Sequence, residues 1–267
     1  ILLPSSFITS MLAYPKLDQY DLSSLRNIWL TGAPLPLTVM KAAVEKMGKI
    51  FSILYALTEV PCITLLSPRE MIFEGSPDEV KRLCSCGREA APFNVDVKIV
   101  DDEGRDIAPG EVGEVIARGD DIMSGYLNLP EVTSEVLKGG YFYTGDLATI
   151  EEQGYIYLLD RKKDAIVSGG KTIVSSDVES VIYSHPSVLE AAVIGMPHAE
   201  LGQAVMAIVA FKEGKEATAE GIIEVCAHNL PPHAVPKSVE FIAKLPRNVV
   251  GKVQKHVLRQ KYSAGAK

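Results

Sequence analysis

A chain of 267 residues is long enough for one large domain or two small ones, at about 100–200 residues per domain. Apolar residues make up 47% and charged residues 23%, a balance that excludes a disordered, collagen-like or coiled-coil chain. Lys and Arg number 27 against 34 Asp and Glu, a net charge of −7, so there is no general attraction to nucleic acid or an anionic membrane, and any polyanion site must be local.

Leu12, Leu17, Leu22 and Leu25 carry helical spacing up to Arg26, Asn27–Leu30 reads as a buried strand, and Leu37–Met47 as a second amphipathic helix. The apolar run Ile50–Tyr55 then completes a strand, turn, helix and strand, one crossover of a parallel sheet. Ligands of such sheets sit beyond the carboxyl ends of the strands. Here those ends are Thr31-Gly32-Ala33-Pro34 and Tyr55-Ala56-Leu57-Thr58-Glu59. From Phe93 to Val174 the pattern changes to short alternating strands, Val95–Val100, Val112–Arg118 and Tyr155–Leu159, with a turn at Asp101–Gly104. After Lys171 it is mixed again. Ser176 is expected to cap a helix with Glu179 three residues on, followed by strands Ala191–Gly195 and Ala204–Phe211, a helix from Thr218 to Asn229, a strand at Val239–Ala243 and a last helix, Gln254–Lys261. The fold class is therefore α/β: the end of a large α/β domain over 1–92, a β-rich subdomain over 93–160, and a small α+β domain over 161–267. The charged cluster Leu159-Asp160-Arg161-Lys162-Lys163-Asp164 marks the last boundary.

Cys62, Cys84, Cys86 and Cys226 are too sparse for a disulfide scaffold and point to a reducing compartment, with the cytoplasm as the expected location. Cys84-Ser85-Cys86 lacks a second ligand pair at zinc spacing. No window approaches the roughly 18 consecutive apolar residues of a membrane span. The apolar start Ile1-Leu2-Leu3 has neither a basic flank nor an initiator Met, so a beginning in mid-domain is expected.

Four segments could carry chemistry. Tyr143-Thr144-Gly145-Asp146 ends an aromatic strand with a carboxylate on a glycine turn, suited to accept two hydrogen bonds from a vicinal diol such as ribose. Arg161, with Lys162 and Lys163, could grip phosphate in fork geometry. Ser168-Gly169-Gly170-Lys171 offers a backbone that a narrow ligand could approach closely. Lys252, after Gly251 in a loop, could deliver a point charge to phosphate. Taken singly, each also fits a plain structural role: a Gly-Asp turn, a solvated charge run, a hairpin, a surface lysine. The five histidines show no defensible pairing with Ser or Cys.

In this order and spacing the segments resemble the adenylate-forming enzymes, which comprise acyl-CoA synthetases, luciferases and peptide-synthetase adenylation domains; the likeness runs over essentially the whole chain. Asp21-Leu22-Ser23-Ser24-Leu25-Arg26 with Thr31-Gly32-Ala33-Pro34-Leu35 is similar to the segment leading to the family's adenine loop. Tyr55-x-x-Thr58-Glu59 is similar to its aromatic-Gly-x-Thr-Glu motif, which implies Tyr55 against adenine, Thr58 on phosphate and Glu59 on Mg²⁺. The resemblance further implies Asp146 on ribose, Arg161 on the nucleotide, Lys163 at an interdomain hinge, Gly169-Gly170 along a pantetheine tunnel, and Lys252 as the lysine of the first half-reaction.

What the resemblance implies is an AMP-forming acid–thiol ligase. It joins a small carboxylic acid to ATP as acyl-AMP and then to CoA, with a mobile small domain serving the two steps in turn. Loading of a carrier-protein phosphopantetheine and a non-catalytic nucleotide-binding fragment stay open as alternatives, as does a homodimer or a separate N-terminal half as partner. Two departures stand out. The family's Ser/Thr/Gly-rich phosphate loop, expected before Ile1, does not occur in the chain, and Ala56 stands where glycine is usual beside the acyl carboxylate, which implies a reshaped acyl pocket.

Overall fold

The computed structural model describes residues 1–32, 35, 37–90, 93–248 and 253–263, and the chain divides into two compact units, Ile1–Leu158 and Leu159–Lys267. The first opens with a strand that the leucine spacing does not announce, β1 (Leu2–Pro4), followed by α1 (Ser5–Leu12). The helix expected to run on to Leu25 stops there. Pro15 biases Tyr14 away from helical backbone, Leu17–Gln19 make a single tight turn, and the Ser23 N–H donates to the Asp21 carboxylate in a loop instead. After it come β2 (Ile28–Thr31), α2 (Leu37–Met47) and β3 (Phe51–Tyr55), the crossover read from the sequence, and then β4 (Thr64–Leu66). These strands form one sheet in the order β1-β2-β3-β4, parallel except for β4. Ile8, Met40 and Ala43 bury the helix faces against Ile28, Leu30 and Phe51 of the strands.

A short helix, α3 (Pro77–Lys81), starts at a capping box in which the Ser76 and Glu79 side chains each bond the other's backbone N–H. The second sheet follows: β5 (Asp96–Val100), β6 (Gly113–Arg118), α4 (Pro130–Val136), β7 (Leu137–Lys138), β8 (Tyr141–Ile150) and β9 (Ile156–Arg161), with order β5-β6-β8-β7 and β9 also on β8. β9 carries the chain out of the first unit.

The second unit holds β10 (Ile166–Ser168), β11 (Lys171–Ile173), α5 (Ser175–Tyr183), β12 (Val188–His198), β13 (Gly202–Phe211), α6 (Ala219–Asn229), β14 (Ser238–Phe241) and α7 (Lys255–Ser263). Its sheet runs β11-β10-β13-β12, with β14 on β13. Side chains alternate across β12 and β13. Val193, Val205, Ala207 and Val209 pack with α5 and α6, whereas Ala192, Ile194 and Ile208 pack with Leu258 of α7 on the other face. Both faces are covered, which is why these strands read as unbroken apolar runs.

The cap expected for α5 is replaced. Ser176 Oγ donates to the Leu159 carbonyl, Glu179 is drawn to β12 and Lys255, and Asp160 takes the first N–H of the helix instead. A local motif lost to longer-range partners because Leu159 and Asp160 lie directly against the helix start. Among the described residues, no helix is long and apolar enough to cross a membrane.

Candidate functional site

Tyr55 ends the parallel strand β3, yet its ring is buried in the core of the second sheet with Val60, Ile63, Val115 and Phe142. That places the carboxyl end of one sheet on the face of the other. Asp146 comes to meet it through a bulge in β8. Glu114 pairs with Leu147 and Ile116 with Tyr143, so Thr144, Gly145 and Asp146 stand opposite Val115 alone. The segment is therefore a kink inside a strand that continues to Ile150, not the strand end expected from its sequence. Gly145 takes φ +69°, a conformation that side chains resist, and its N–H donates to Glu114 at 2.9 Å. Thr144 Oγ1 donates to the Val115 carbonyl at 2.8 Å and accepts the Asp146 N–H at 3.0 Å. So fixed, the Asp146 carboxylate accepts the Tyr55 hydroxyl at 2.6 Å. Burial, and then the Asp146 charge, push the Tyr55 phenol far above its usual range, so it remains a donor.

Beyond β3 the chain turns on the Leu57 N–H bonding the Val60 carbonyl at 3.0 Å. Ala56 is half-buried, Thr58 is exposed and Glu59 is half-buried. The Glu59 carboxylate accepts the Tyr126 hydroxyl at 2.7 Å, and its carbonyl accepts the Met123 N–H at 2.9 Å. Among the described residues no three His, Cys, Asp or Glu gather as a metal cage. A single carboxylate is nevertheless the protein donor set suited to Mg²⁺ that is held mainly by nucleotide phosphates and water. Gly32 follows β2, the parallel neighbour of β3, with φ +92°.

In the second unit, Arg161 closes β9 and is half-buried, and its carbonyl accepts the N–H groups of Asp164 and Ala165 in the turn that contains exposed Lys163. Gly169 and Gly170 form a two-residue hairpin between β10 and β11, with φ +57° and +76°, the mirror-image turn that glycine favours. A side chain at Gly170 would meet nothing within 4 Å, so its backbone is open to approach. Ala33, Pro34 and Lys252 lie outside the described residues. The structure thus joins Tyr55 with Asp146, and sets Thr58 and Glu59 on the loop between them and Tyr126. Glu114 and Tyr126 are not announced by the sequence. Each acts through a partner far along the chain, and neither sits in a recurring local pattern.

Two family models match the chain: the AMP-binding enzyme family over residues 1–127 and the AMP-binding enzyme C-terminal domain over residues 177–252. A feruloyl-CoA synthase of Amycolatopsis is 34% identical over 250 residues, 94% of this chain and 49% of the relative. The putative acyl-CoA synthetase YngI of Bacillus subtilis is 35% identical over 262 residues, 97% of this chain and 46% of the relative. Among solved structures, the ATP-bound MatB of Rhodopseudomonas palustris superposes with a TM-score of 0.85 at 30% identity, covering 100% of this chain and 51% of that one. An amide bond synthetase of Marinactinospora thermotolerans gives 0.82 at 34%, covering 98% and 51%. The chain spans about half the length of the curated relatives it matches. Its two sheets and small α+β unit, and the order of its motifs, agree with these likenesses, and the chain belongs to the adenylate-forming, AMP-binding enzyme superfamily.

Proposed function

We propose that the protein carrying this chain is an AMP-forming acyl- or aryl-CoA ligase. The observation that supports this most is the Tyr55–Asp146 hydrogen bond at the carboxyl end of β3, where an α/β sheet receives its ligand. Relatives named as CoA synthases and ligases, and neighbours solved with ATP or AMP, favour the same substrates. On this reading Gly32, Ala33, Pro34 and Tyr55 line the adenine, and Asp146 and Arg161 hold the ribose and phosphates. Thr58 bonds phosphate. Glu59, oriented by Tyr126, would hold Mg²⁺, which supplies charge neutralisation on the phosphates when bound.

In the first half-reaction a carboxylate oxygen of the acid bonds the α-phosphorus as the bond to pyrophosphate breaks. Two anions approach each other there, so a cation bridging them lowers the barrier, and Lys252 is the candidate. In the second, the CoA thiol adds to the acyl carbon, AMP leaves with the bonding pair, and the thiol proton passes to solvent. Gly169 and Gly170 line the thiol's path and Lys163 is the hinge between the two presentations. Ala56 shapes the acyl pocket.

The test is acid-dependent exchange of pyrophosphate into ATP by the natural protein over a panel of carboxylic acids, followed by CoA, a holo-carrier protein and an amine as acceptors. The amine is included because one structural neighbour is an amide bond synthetase. Exchange with transfer to CoA is expected; exchange with transfer only to the carrier or the amine replaces the acceptor, and no exchange with any acid overturns the reading. The 267 residues by themselves are expected not to exchange at an enzyme-like rate, since their sequence holds no Ser/Thr/Gly-rich loop for the β- and γ-phosphates.

A further inference from the structure

Four side chains to which the proposed reaction gives no role meet in one group within the second unit. Asp160 accepts the Arg161 N–H through Oδ1 at 2.8 Å and the Ser175 N–H through Oδ2 at 3.0 Å. The wholly buried Ser175 hydroxyl also donates to Oδ2, and in turn it accepts from Lys255 Nζ. Lys255 reaches Glu179 at 2.8 Å, and Glu179 accepts the Val193 N–H at 2.8 Å. Burial raises the Glu179 carboxyl above its ordinary range even with Lys255 beside it. Apolar side chains of the same volume would hold α5 to α7 at least as firmly as ions taken out of water. What the polar group adds is direction: each bond fixes one atom against another.

The atoms it fixes lie beside two residues of the proposed adenylation step. Asp160 immediately precedes Arg161, and Lys255 opens α7 three residues after Lys252. Five residues before Lys252 in the sequence, the Arg247 backbone bridges to Val253 and its guanidinium holds Glu190 of β12 at 2.6 Å. One turn along α7, Arg259 pairs with Asp164. Asp160 precedes the proposed hinge at Lys163, whereas Ser175 and Lys255 follow it, so a turn of the chain at Lys163 parts Asp160 from Ser175.

Resting on the proposed function, we infer that Ser175, with Asp160 and Lys255, is a positioning group that sets the Arg161 backbone against the start of α7 and so serves adenylation rather than thioester formation. In the natural protein, Ser175→Ala should slow acyl-AMP formation on the order of tenfold while CoA transfer from supplied acyl-AMP stays within about twofold. Ser175→Thr, which keeps the hydroxyl, should restore the first step. Amide hydrogen exchange at Arg161 and Ser175, whose N–H groups both bond Asp160, should quicken on the order of tenfold in Ser175→Ala and not in Ser175→Thr. Equal change in both half-reactions, no change in either, no rescue by threonine, or unaltered exchange overturns the inference. Should Ser175→Ala not fold, Asp160→Asn is expected to slow acyl-AMP formation and quicken both amides in the same way, and equal change in both half-reactions, no change in either, or unaltered exchange then overturns the inference. If the unsubstituted protein makes no acyl-AMP from any acid, it is the proposed function that has failed, and the exchange of the two amides decides the positioning group alone.

Discussion

The hydroxyl of Tyr55 donates to the carboxylate of Asp146 across 91 residues of sequence, at 2.6 Å. One residue ends a strand of the first sheet and the other sits in a bulge of the second, so the bond ties the two sheets together where a nucleotide is proposed to bind.

Tyr55→Phe removes that donor from a carboxylate that is only 8% exposed, which should cost about 1–3 kcal/mol of stability near neutral pH. The pH dependence has a definite sign. The folded pKa of Tyr55 is raised, by burial first and then by Asp146, so its contribution is complete below the unfolded value of about 10 and is lost as pH rises beyond it. Urea unfolding across alkaline pH should therefore show a steeper loss in the unsubstituted protein than in Tyr55→Phe. Parallel curves would mean the phenol titrates normally. Cys86, which burial pushes up to about 12, adds a loss of the same sign to both proteins.

Gly87→Ala should be among the costliest single changes in the first unit. A Cβ there would lie 2.1 Å from the Leu65 carbonyl carbon, on backbone at φ +87°, where Leu65 and Arg88 bond each other. Neither chain can yield without losing its partner, so a loss above about 3 kcal/mol is expected. Gly110→Ala is the control: φ is +89° but nothing lies within 4 Å, and the conformational cost alone is about 1–2 kcal/mol. Denaturation midpoints that rank the two equally would show that conformation, not the close approach, sets the cost.

Under the proposed function, Lys252→Ala should cut acyl-AMP formation by roughly 10²–10³, by analogy with the loss of one charge-stabilising donor in a dry site. Thioester formation from supplied acyl-AMP should be nearly unchanged. Single-turnover measurement of each half-reaction separates this from a structural lysine, whose loss would slow both alike.

Lys163→Pro would fix φ at the proposed hinge and push Lys162 out of the helical region, in a turn closed by the N–H groups of Asp164 and Ala165 on the Arg161 carbonyl. Adenylation should survive better than thioester formation, because only the second requires the other presentation. Loss confined to adenylation, or normal rates in both steps, places the hinge elsewhere.

The sequence by itself determined the crossover from Ile28 to Tyr55, the alternating strands of the second sheet and the mixed pattern after Lys171, because each is a local periodicity of apolar residues. It also held the motifs that mark the superfamily, since these are short and contiguous. It did not show that α1 ends at Leu12, where Pro15 outweighs the leucine spacing, nor that Ser176 and Glu179 abandon a local cap for Leu159, Val193 and Lys255. Those outcomes are competitions between a nearby partner and a distant one, and the distance along the chain carries no signal. The same holds for Tyr55 with Asp146, Tyr126 with Glu59, and Asp160 with Ser175 and Lys255. Which polar atoms meet was decided by the packing of sheets and helices, because a buried donor or acceptor must find a partner wherever the fold places one.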